Sequence, residues 1–451
     1  MFNRSALTYL EQWKTSSNRK PLIIRGARQV GKTTLVKQFA KTYKQHISLN
    51  LEKESDRNFF EITDDVKKIV ETLFLSKNLS SNVNDTLLFI DEIQESPKAI
   101  HLLRYFYEEI PDLHIISAGS LLEFAMHKVS NFPVGRVEYL YLYPLNFLEY
   151  LEAIKHYEAL EHLNQIPIKS FAHKPLLELF NRFAIIGGMP EVIKVFIDNN
   201  HGLVDLPKIY ESIWSTYQND VEKYAKSETE RKVIKHIMAT AQNYVDLRIK
   251  FQNFGNSNYR SREVGEAMRS LDDAKIIQLI YPTTDIEIPI KPDLKKSPRL
   301  QFLDTGLVNH SLGLQSQMIG LNNLCTTYKG AIIPHLITQE LISLNTLSSK
   351  NPHFWVREKK QSSSEIDLVF QHDNKIIPIE IKSGSTGSLK SLHQFIEMTN
   401  HPYAIRIYEG EYKIEKTKTP SGVPYLLMNI PYYLGTKIPE YIDYFVNNYS
   451  L

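Results

Sequence analysis

Cysteine is almost absent from this chain: its 451 residues hold one, Cys325. That excludes an intramolecular disulfide framework and any zinc site built on several thiolates, and it fits a reducing compartment. Long apolar runs are missing too. No stretch approaches the roughly 18 uninterrupted apolar residues that a membrane span requires, so no membrane partner is expected. The opening Met1-Phe2-Asn3-Arg4 runs into a mixed polar helix with Leu7, Leu10 and Trp13 on one side. It lacks the apolar core of a secretion signal, which makes the cytoplasm the expected location. Charge of one sign is also lacking. The formal net charge is +2, so a nucleic-acid surface would have to be a local patch. Internal repeats and low-complexity tracts are absent, and 42% apolar with 23% charged residues is ordinary globular usage.

At roughly 100–200 residues per domain, this length predicts several units. Residues 1–145 alternate short apolar strands (Leu22-Ile23-Ile24, Ile47-Ser48-Leu49, Leu87 to Ile90, Leu113 to Ile116) with helical stretches. Such strands read as a parallel sheet covered on both faces, an α/β core. Residues 146–235 read as a helical subdomain broken at Gly187-Gly188-Met189-Pro190. Residues 236–326 combine helices with a strand pair, Ile276 to Tyr281 and Ile286 to Ile288, as a winged helix would. Residues 327–451 place one helix before several strands, an α+β unit. Pro292, Pro298 and Asn322-Asn323 are candidate boundaries.

The clearest chemistry lies near the start. Gly26-Ala27-Arg28-Gln29-Val30-Gly31-Lys32-Thr33 fits Gly-x4-Gly-Lys-Ser/Thr and stands between a strand and a helix beginning near Thr34. Glycines at both ends let successive N–H groups point at a phosphate, with the positive end of the helix behind them. Lys32 is expected on the β- and γ-phosphates of ATP, and the Thr33 hydroxyl on Mg²⁺. Leu87-Leu88-Phe89-Ile90-Asp91-Glu92 buries a strand and delivers two acids at its carboxyl end. Asp91 is expected to hold magnesium, and Glu92 to polarise the attacking water.

This site resembles the additional-strand branch of P-loop ATPases, which includes the AAA family. The resemblance implies a polar sensor at the end of the next strand, where Ser120 is preferred over Ser117. Arg136 is the nominee for an arginine acting on the γ-phosphate in its own or a neighbouring subunit, with Arg28 and Arg104 as rivals.

A second cluster lies far along the chain. Glu340 falls on the apolar stripe of a helix with Ile333, Leu336, Ile337, Leu341 and Leu344. A carboxylate there is costly unless paired or bound to a metal. Alternation along Glu365-Ile366-Asp367 and Glu380-Ile381-Lys382 turns Asp367, Glu380 and Lys382 to one face, with Asp373-Asn374 as the turn between the strands. If that hairpin pairs, these three converge, and Glu340 can approach to complete a metal set (Glu340, Asp367, Glu380) with Lys382 for phosphodiester hydrolysis. The pattern resembles the PD-(D/E)xK core of restriction endonucleases, although this Glu-Ile-Asp strand lacks the proline of that motif. Cleavage and binding without cleavage both remain open. Between the two clusters, Val264, Ala267, Met268 and Leu271 form the inward face of a helix, leaving Arg260, Arg262 and Arg269 for a DNA backbone or base edges. Neighbouring Glu263, Glu266, Asp272 and Asp273 dilute that charge.

Almost the whole chain resembles a bacterial and archaeal family of AAA-type ATPases whose C-terminal domain of unknown function has a restriction-endonuclease-like core. The landmarks are the phosphate loop, Asp91-Glu92-Ile93-Gln94, Gly119-Ser120, Gly135-Arg136, Pro144-Leu145-Asn146-Phe147, Gly187-Gly188-Met189-Pro190, Phe302-Leu303-Asp304-Thr305-Gly306 and Glu380-Ile381-Lys382. The resemblance implies ATP binding and the order ATPase core, helical region, winged helix, nuclease-like domain. Two functions compete: an ATP-driven switch acting on DNA, and a nucleotide-gated scaffold for a protein partner with an inactive nuclease-like domain. Homo-oligomerisation is left open.

Overall fold

The computed structural model describes residues 1–120, 122, 133–220, 225–318, 324, 330–359, 362–382 and 389–451. Cys325 and the expected boundary at Asn322-Asn323 lie outside them. The chain divides into two compact units. The first is 1–144 with 273–276 and 345–349; the second is 145–272, 277–344 and 350–451. The expected boundaries at 235 and 326 therefore fall inside the second unit.

In the first unit, β1 (Leu22–Arg25), β2 (Gln45–Asn50), β3 (Thr86–Asp91), β4 (His114–Ala118) and β5 (Glu138–Tyr141) form one sheet in the order β2-β3-β4-β1-β5. Every pairing is parallel. The helices are α1 (Ala6–Thr15), α2 (Lys32–Ala40), α3 (Glu54–Glu61), α4 (Val66–Ser76) and α5 (Pro97–Glu109). Local chemistry sets their starts: the Asp65 side chain caps α4, and Ser96 caps α5 ahead of a first-turn proline. Leu22, Ile23, Ile24, Leu88, Ile90 and Ile116 are buried, as strands covered on both faces must be. The order puts β4 between β1 and β3, so the added strand in space is the one leading to Ser120. The Ile47 strand, β2, lies at the sheet edge.

The second unit opens with helices, among them Phe147–Ala153, His173–Ile186, Pro190–Asp198, Leu206–Asn219 and Glu228–Thr240. The helix Ser261–Asp273 buries Val264, Ala267, Met268 and Leu271, the face expected from its spacing. A two-stranded antiparallel pair follows, β6 (Ile277–Ile280) and β7 (Arg299–Phe302). Here the structure corrects the expectation: Ile286 to Ile288 form no strand, and the partner of the first strand is β7. Ile286-Glu287-Ile288 is only weakly buried, Ile288 being exposed, whereas β7 is buried throughout. Then come the helix Ile332–Ser343, β8 (His353–Lys359), β9 (Ser362–His372), β10 (Lys375–Ile381), the helix Lys390–Ile396, β11 (Tyr403–Tyr408), β12 (Lys413–Lys418), β13 (Pro424–Pro431) and the helix Ile438–Asn448. The sheet order is β12-β13-β11-β10-β9-β8. Strands β8, β9 and β10 are antiparallel neighbours, and β11 joins β10 in parallel.

Candidate functional site

Parallel strands deliver their carboxyl ends to one edge of a sheet, where open α/β folds gather ligand sites. The phosphate loop leaves β1 at that edge. Gly26 (φ 147) and Gly31 (φ 99) occupy backbone conformations that side chains disfavour, and a Cβ on Gly26 would collide with the Leu142 carbonyl. Gln29 (φ 63) and Glu92 (φ 51) are non-glycine residues in the left-handed region, one in the loop and one beside it. Such strain persists where surrounding structure enforces it, often at functional sites.

Lys32 is buried and donates to the carbonyls of Gly26 at 2.9 Å and Ala27 at 2.8 Å. Burial pushes its ammonium down to about 8, opposed by the charges of Glu92 and Asp91. Thr33 Oγ1 donates to Asp91 Oδ2 at 2.8 Å, so hydroxyl and carboxylate already stand where one cation could meet both. Burial raises the Asp91 carboxyl, and the Thr33 hydrogen bond resists that rise. Glu92 follows Asp91 and is the N-cap residue of the turn Ile93–Glu95, from which Gln94 Nε2 donates to Glu92 Oε2 at 2.5 Å. Ser120 is buried at the end of β4 and accepts from Arg28 Nε at 3.2 Å. Ser117 is fully buried within β4 and bonds the Leu22 carbonyl, a sheet contact. Loop, acids and Ser120 thus share one edge. Gly26, Ala27, Arg28, Gln29, Val30, Gly31, Lys32, Thr33 and Thr34 run continuously from β1 into α2.

Arg136 is not brought there. It precedes β5, at the opposite edge of the sheet, and its Nε donates to Glu108 at 2.9 Å near the end of α5. Arg104 Nε bonds the same Glu108 oxygen at 3.1 Å. Of the three arginines nominated, Arg28 alone stands in the site.

In the second unit the hairpin pairs as anticipated, with Asp373 (φ 48) at its turn. Its register runs to Leu368 opposite Ile379, which sets Asp367 across from Glu380. Asp367 Oδ2 accepts from Ile381 N at 2.8 Å, and Lys382 Nζ bonds Glu380 Oε1. Burial, then the charge of Asp367, raises the Glu380 carboxyl.

Two corrections follow. Glu340 stands apart from this group: it is fully buried, and its two oxygens accept from Phe147 N at 3.2 and 3.1 Å, at the start of the helix Phe147–Ala153. Its spacing put it on a buried stripe, but its partner is a helix end. Second, Lys382 keeps its expected place on Glu380, but Arg299 of β7 adds a cation on the other strand acids. Its guanidinium contacts Glu365, lies 3.2 Å from Asp367 Oδ1 and the same distance from the Asp367 carbonyl, and sits 3.8 Å from Asp246. Among the described residues no three His, Cys, Asp or Glu side chains are grouped to hold a metal ion; Asp367 and Glu380 stand together, and Glu340 does not join them. Sequence reading missed Arg299; the available hint was a charged residue inside the buried run Arg299–Phe302.

Several landmark motifs resolve into one buried junction. Asp304 accepts from Gly188 N at 2.6 Å and Leu307 N at 3.0 Å. Leu145 N donates to the Gly188 carbonyl at 2.7 Å. A Cβ on Gly188 would strike the Leu145 carbonyl, and one on Gly306 the Ile186 carbonyl. These glycines therefore serve close backbone packing. Thr305 N bonds Gln339 at 2.9 Å, and Thr305 Oγ1 meets His335 Nδ1 at 3.0 Å. On the helix Ser261–Asp273, Arg262 and Arg269 are exposed, as is Arg260 just before it, and Arg262 pairs with Glu266 at 2.9 Å.

Comparison with known proteins gives three family matches along the chain. Residues 18–151 match a family model described as AAA domain. Residues 177–318 and 329–428 match two models described as domains of unknown function, DUF8612 and DUF4143. A search of curated proteins gives no match. A solved structure described as the Walker-type ATPase PABY2304 of Pyrococcus abyssi is 16% identical, with 69% of this chain and 96% of that chain covered and a TM-score of 0.45. The RuvB Holliday junction branch migration motor of Thermotoga maritima is 15% identical over 61% and 89% of the two chains, with a TM-score of 0.26. The Orc1 protein of Aeropyrum pernix in complex with DNA is 12% identical over 70% and 93%, with a TM-score of 0.27. All three scores are low, so the assignment rests on strand order, motif placement and the family match: the chain carries an AAA-type P-loop ATPase domain over residues 18–151.

Proposed function

We propose that the protein is a magnesium-dependent ATPase of the AAA type whose nucleotide state switches what its later domains engage. The observation that carries this is the Thr33–Asp91 hydrogen bond of 2.8 Å beside buried Lys32. A cation ligand, an acid and a phosphate-seeking ammonium meet at the mouth of a glycine cradle, and this donor set suits Mg·ATP. Lys32, now held by its own loop, would release the Gly26 and Ala27 carbonyls to reach phosphate oxygens. Thr33 and Asp91 would hold magnesium, which when bound neutralises phosphate charge. Glu92 would take a proton from the attacking water, and Ser120 would orient that water or the terminal phosphate.

For the remainder we propose the order helical region (146–235), winged helix (236–326) and PD-(D/E)xK-like domain (327–451). The exposed Arg260, Arg262 and Arg269 favour a DNA backbone as the target. A second reading is favoured by Arg299: an arginine is already paired with Glu365 and Asp367, which suits a domain that binds a protein partner without cutting. An ATPase assay on Glu92→Gln tests the catalytic core, since turnover at the wild-type rate refutes it. DNA affinity that falls steeply with salt supports the DNA reading; salt-insensitive or absent binding supports the scaffold. Mg²⁺- or Mn²⁺-dependent cutting abolished by Asp367→Ala and Lys382→Ala would restore the nuclease expectation.

A further inference from the structure

Glu92 ends in a carboxylate with few partners. One oxygen, Oε2, accepts from Gln94 Nε2 at 2.5 Å; among the described residues this is the one side-chain hydrogen bond to that carboxylate. A carboxylate on a turn can swing through several rotamers, and a charge-assisted hydrogen bond to one oxygen fixes its direction and leaves the other free to face water. Because the carboxylate only accepts, Gln94 must turn its NH₂ toward Glu92 and its carbonyl oxygen away. That carbonyl oxygen is buried with no hydrogen-bond partner among the described residues. It packs on Gly119, where a Cβ would collide with it. Gly119 adjoins Ser120, and Ser120 accepts from Arg28 of the phosphate loop at 3.2 Å. A short path of contacts therefore leads from the loop through Arg28, Ser120, Gly119 and Gln94 to Glu92.

We propose that Gln94 is a positioning residue for Glu92, and that Gly119 transmits the state of the Arg28–Ser120 contact to it. This rests on the reading of Glu92 as the base that activates water. Gln94 fixes the aim of the carboxylate. Any movement of Ser120 and Arg28 toward a terminal phosphate shifts Gly119 against the Gln94 amide and so re-aims Glu92. Neither Gln94 nor Gly119 belongs to the phosphate loop or to the Thr33–Asp91 pair, so a substitution at either separates an effect on kcat from one on affinity. Gly119 is confined by sterics alone, since its φ lies outside the left-handed region, so alanine there is compatible with the backbone.

The test uses the full chain, with steady-state ATPase kinetics and binding of a fluorescent ATP analogue. Gln94→Met keeps the length and the packing on Gly119 but removes the donor. We expect kcat to fall by about tenfold to a hundredfold with KM and analogue affinity unchanged, and Gln94→Asn to recover little because its shorter arm cannot span the gap. Gly119→Ala should give the same kcat defect by displacing the Gln94 amide, and combining it with Gln94→Met should add nothing further. Gln94→Met turning over at the wild-type rate while Glu92→Gln is dead overturns the positioning role and leaves the ATPase reading intact. An additive Gly119→Ala, Gln94→Met pair overturns the transmission. Turnover by Glu92→Gln at the wild-type rate overturns both this proposal and the reading beneath it.

Discussion

Replacing Glu340 with glutamine should stabilise the second unit at neutral and alkaline pH. Burial pushes the Glu340 carboxyl from 4.5 up to about 8, against the lowering effect of the Phe147 N–H and with a further push from Glu149. Folding is thus expected to hold this group as the neutral acid near pH 7, while the unfolded chain ionises it. A raised folded pKa means that the stability contribution is present in full below the unfolded pKa and disappears as pH rises through the folded one. At about 1.4 kcal/mol per pH unit, the loss opens above pH 4.5 and levels off beyond pH 8 at about 5 kcal/mol, an upper figure for so buried a group. Glutamine has the shape of the neutral acid, keeps an acceptor for Phe147 N and never ionises. Wild type and Glu340→Gln should therefore match near pH 4.5 and diverge steadily, the variant ahead by about 3 kcal/mol at pH 7. Thermal melts at several pH values, followed by tryptophan emission, would show this. Of the three tryptophans, Trp214 and Trp355 are buried in the second unit. A variant less stable than wild type at pH 8 would mean that Glu340 is an ionised helix cap, and the reasoning would be wrong.

Three further outcomes are expected. Arg299→Met leaves Glu365, Asp367 and Asp246 facing one another around a buried gap and should cost about 3–5 kcal/mol, read by urea unfolding, with partial recovery on adding Asp367→Asn. Gly26→Ala forces a methyl group against the Leu142 carbonyl at φ 147; binding of an ATP analogue should be lost while the far-ultraviolet circular dichroism stays unchanged. Asp304→Ala strips the acceptor from Gly188 N and Leu307 N, two buried amides costing about 1–3 kcal/mol each. Its melting temperature should drop without change in nucleotide affinity.

Much of the nucleotide site could be read from the chain because its parts are local. Eight consecutive residues make the phosphate loop, and one apolar strand ending in Asp91-Glu92 makes the acidic edge. Period-two and helical patterns depend only on neighbours in sequence, so the parallel strands, the Asp373-Asn374 turn and the inward face of the helix Ser261–Asp273 were also legible. Tertiary structure alone decided which distant groups meet. Glu340 and Asp367 are both acids on buried elements, and no spacing rule tells that one closes a helix start while the other sits beside an arginine. Arg299 reaches Glu365 across more than sixty intervening residues, and Ile286 to Ile288 lost their place to β7 because burial chose the better partner. Arg136 is the arginine that sequence favours over Arg28, and the parallel sheet puts the two at opposite edges. Periodicity reports how each element faces its surroundings; only packing in three dimensions fixes which charges end up sharing a buried space.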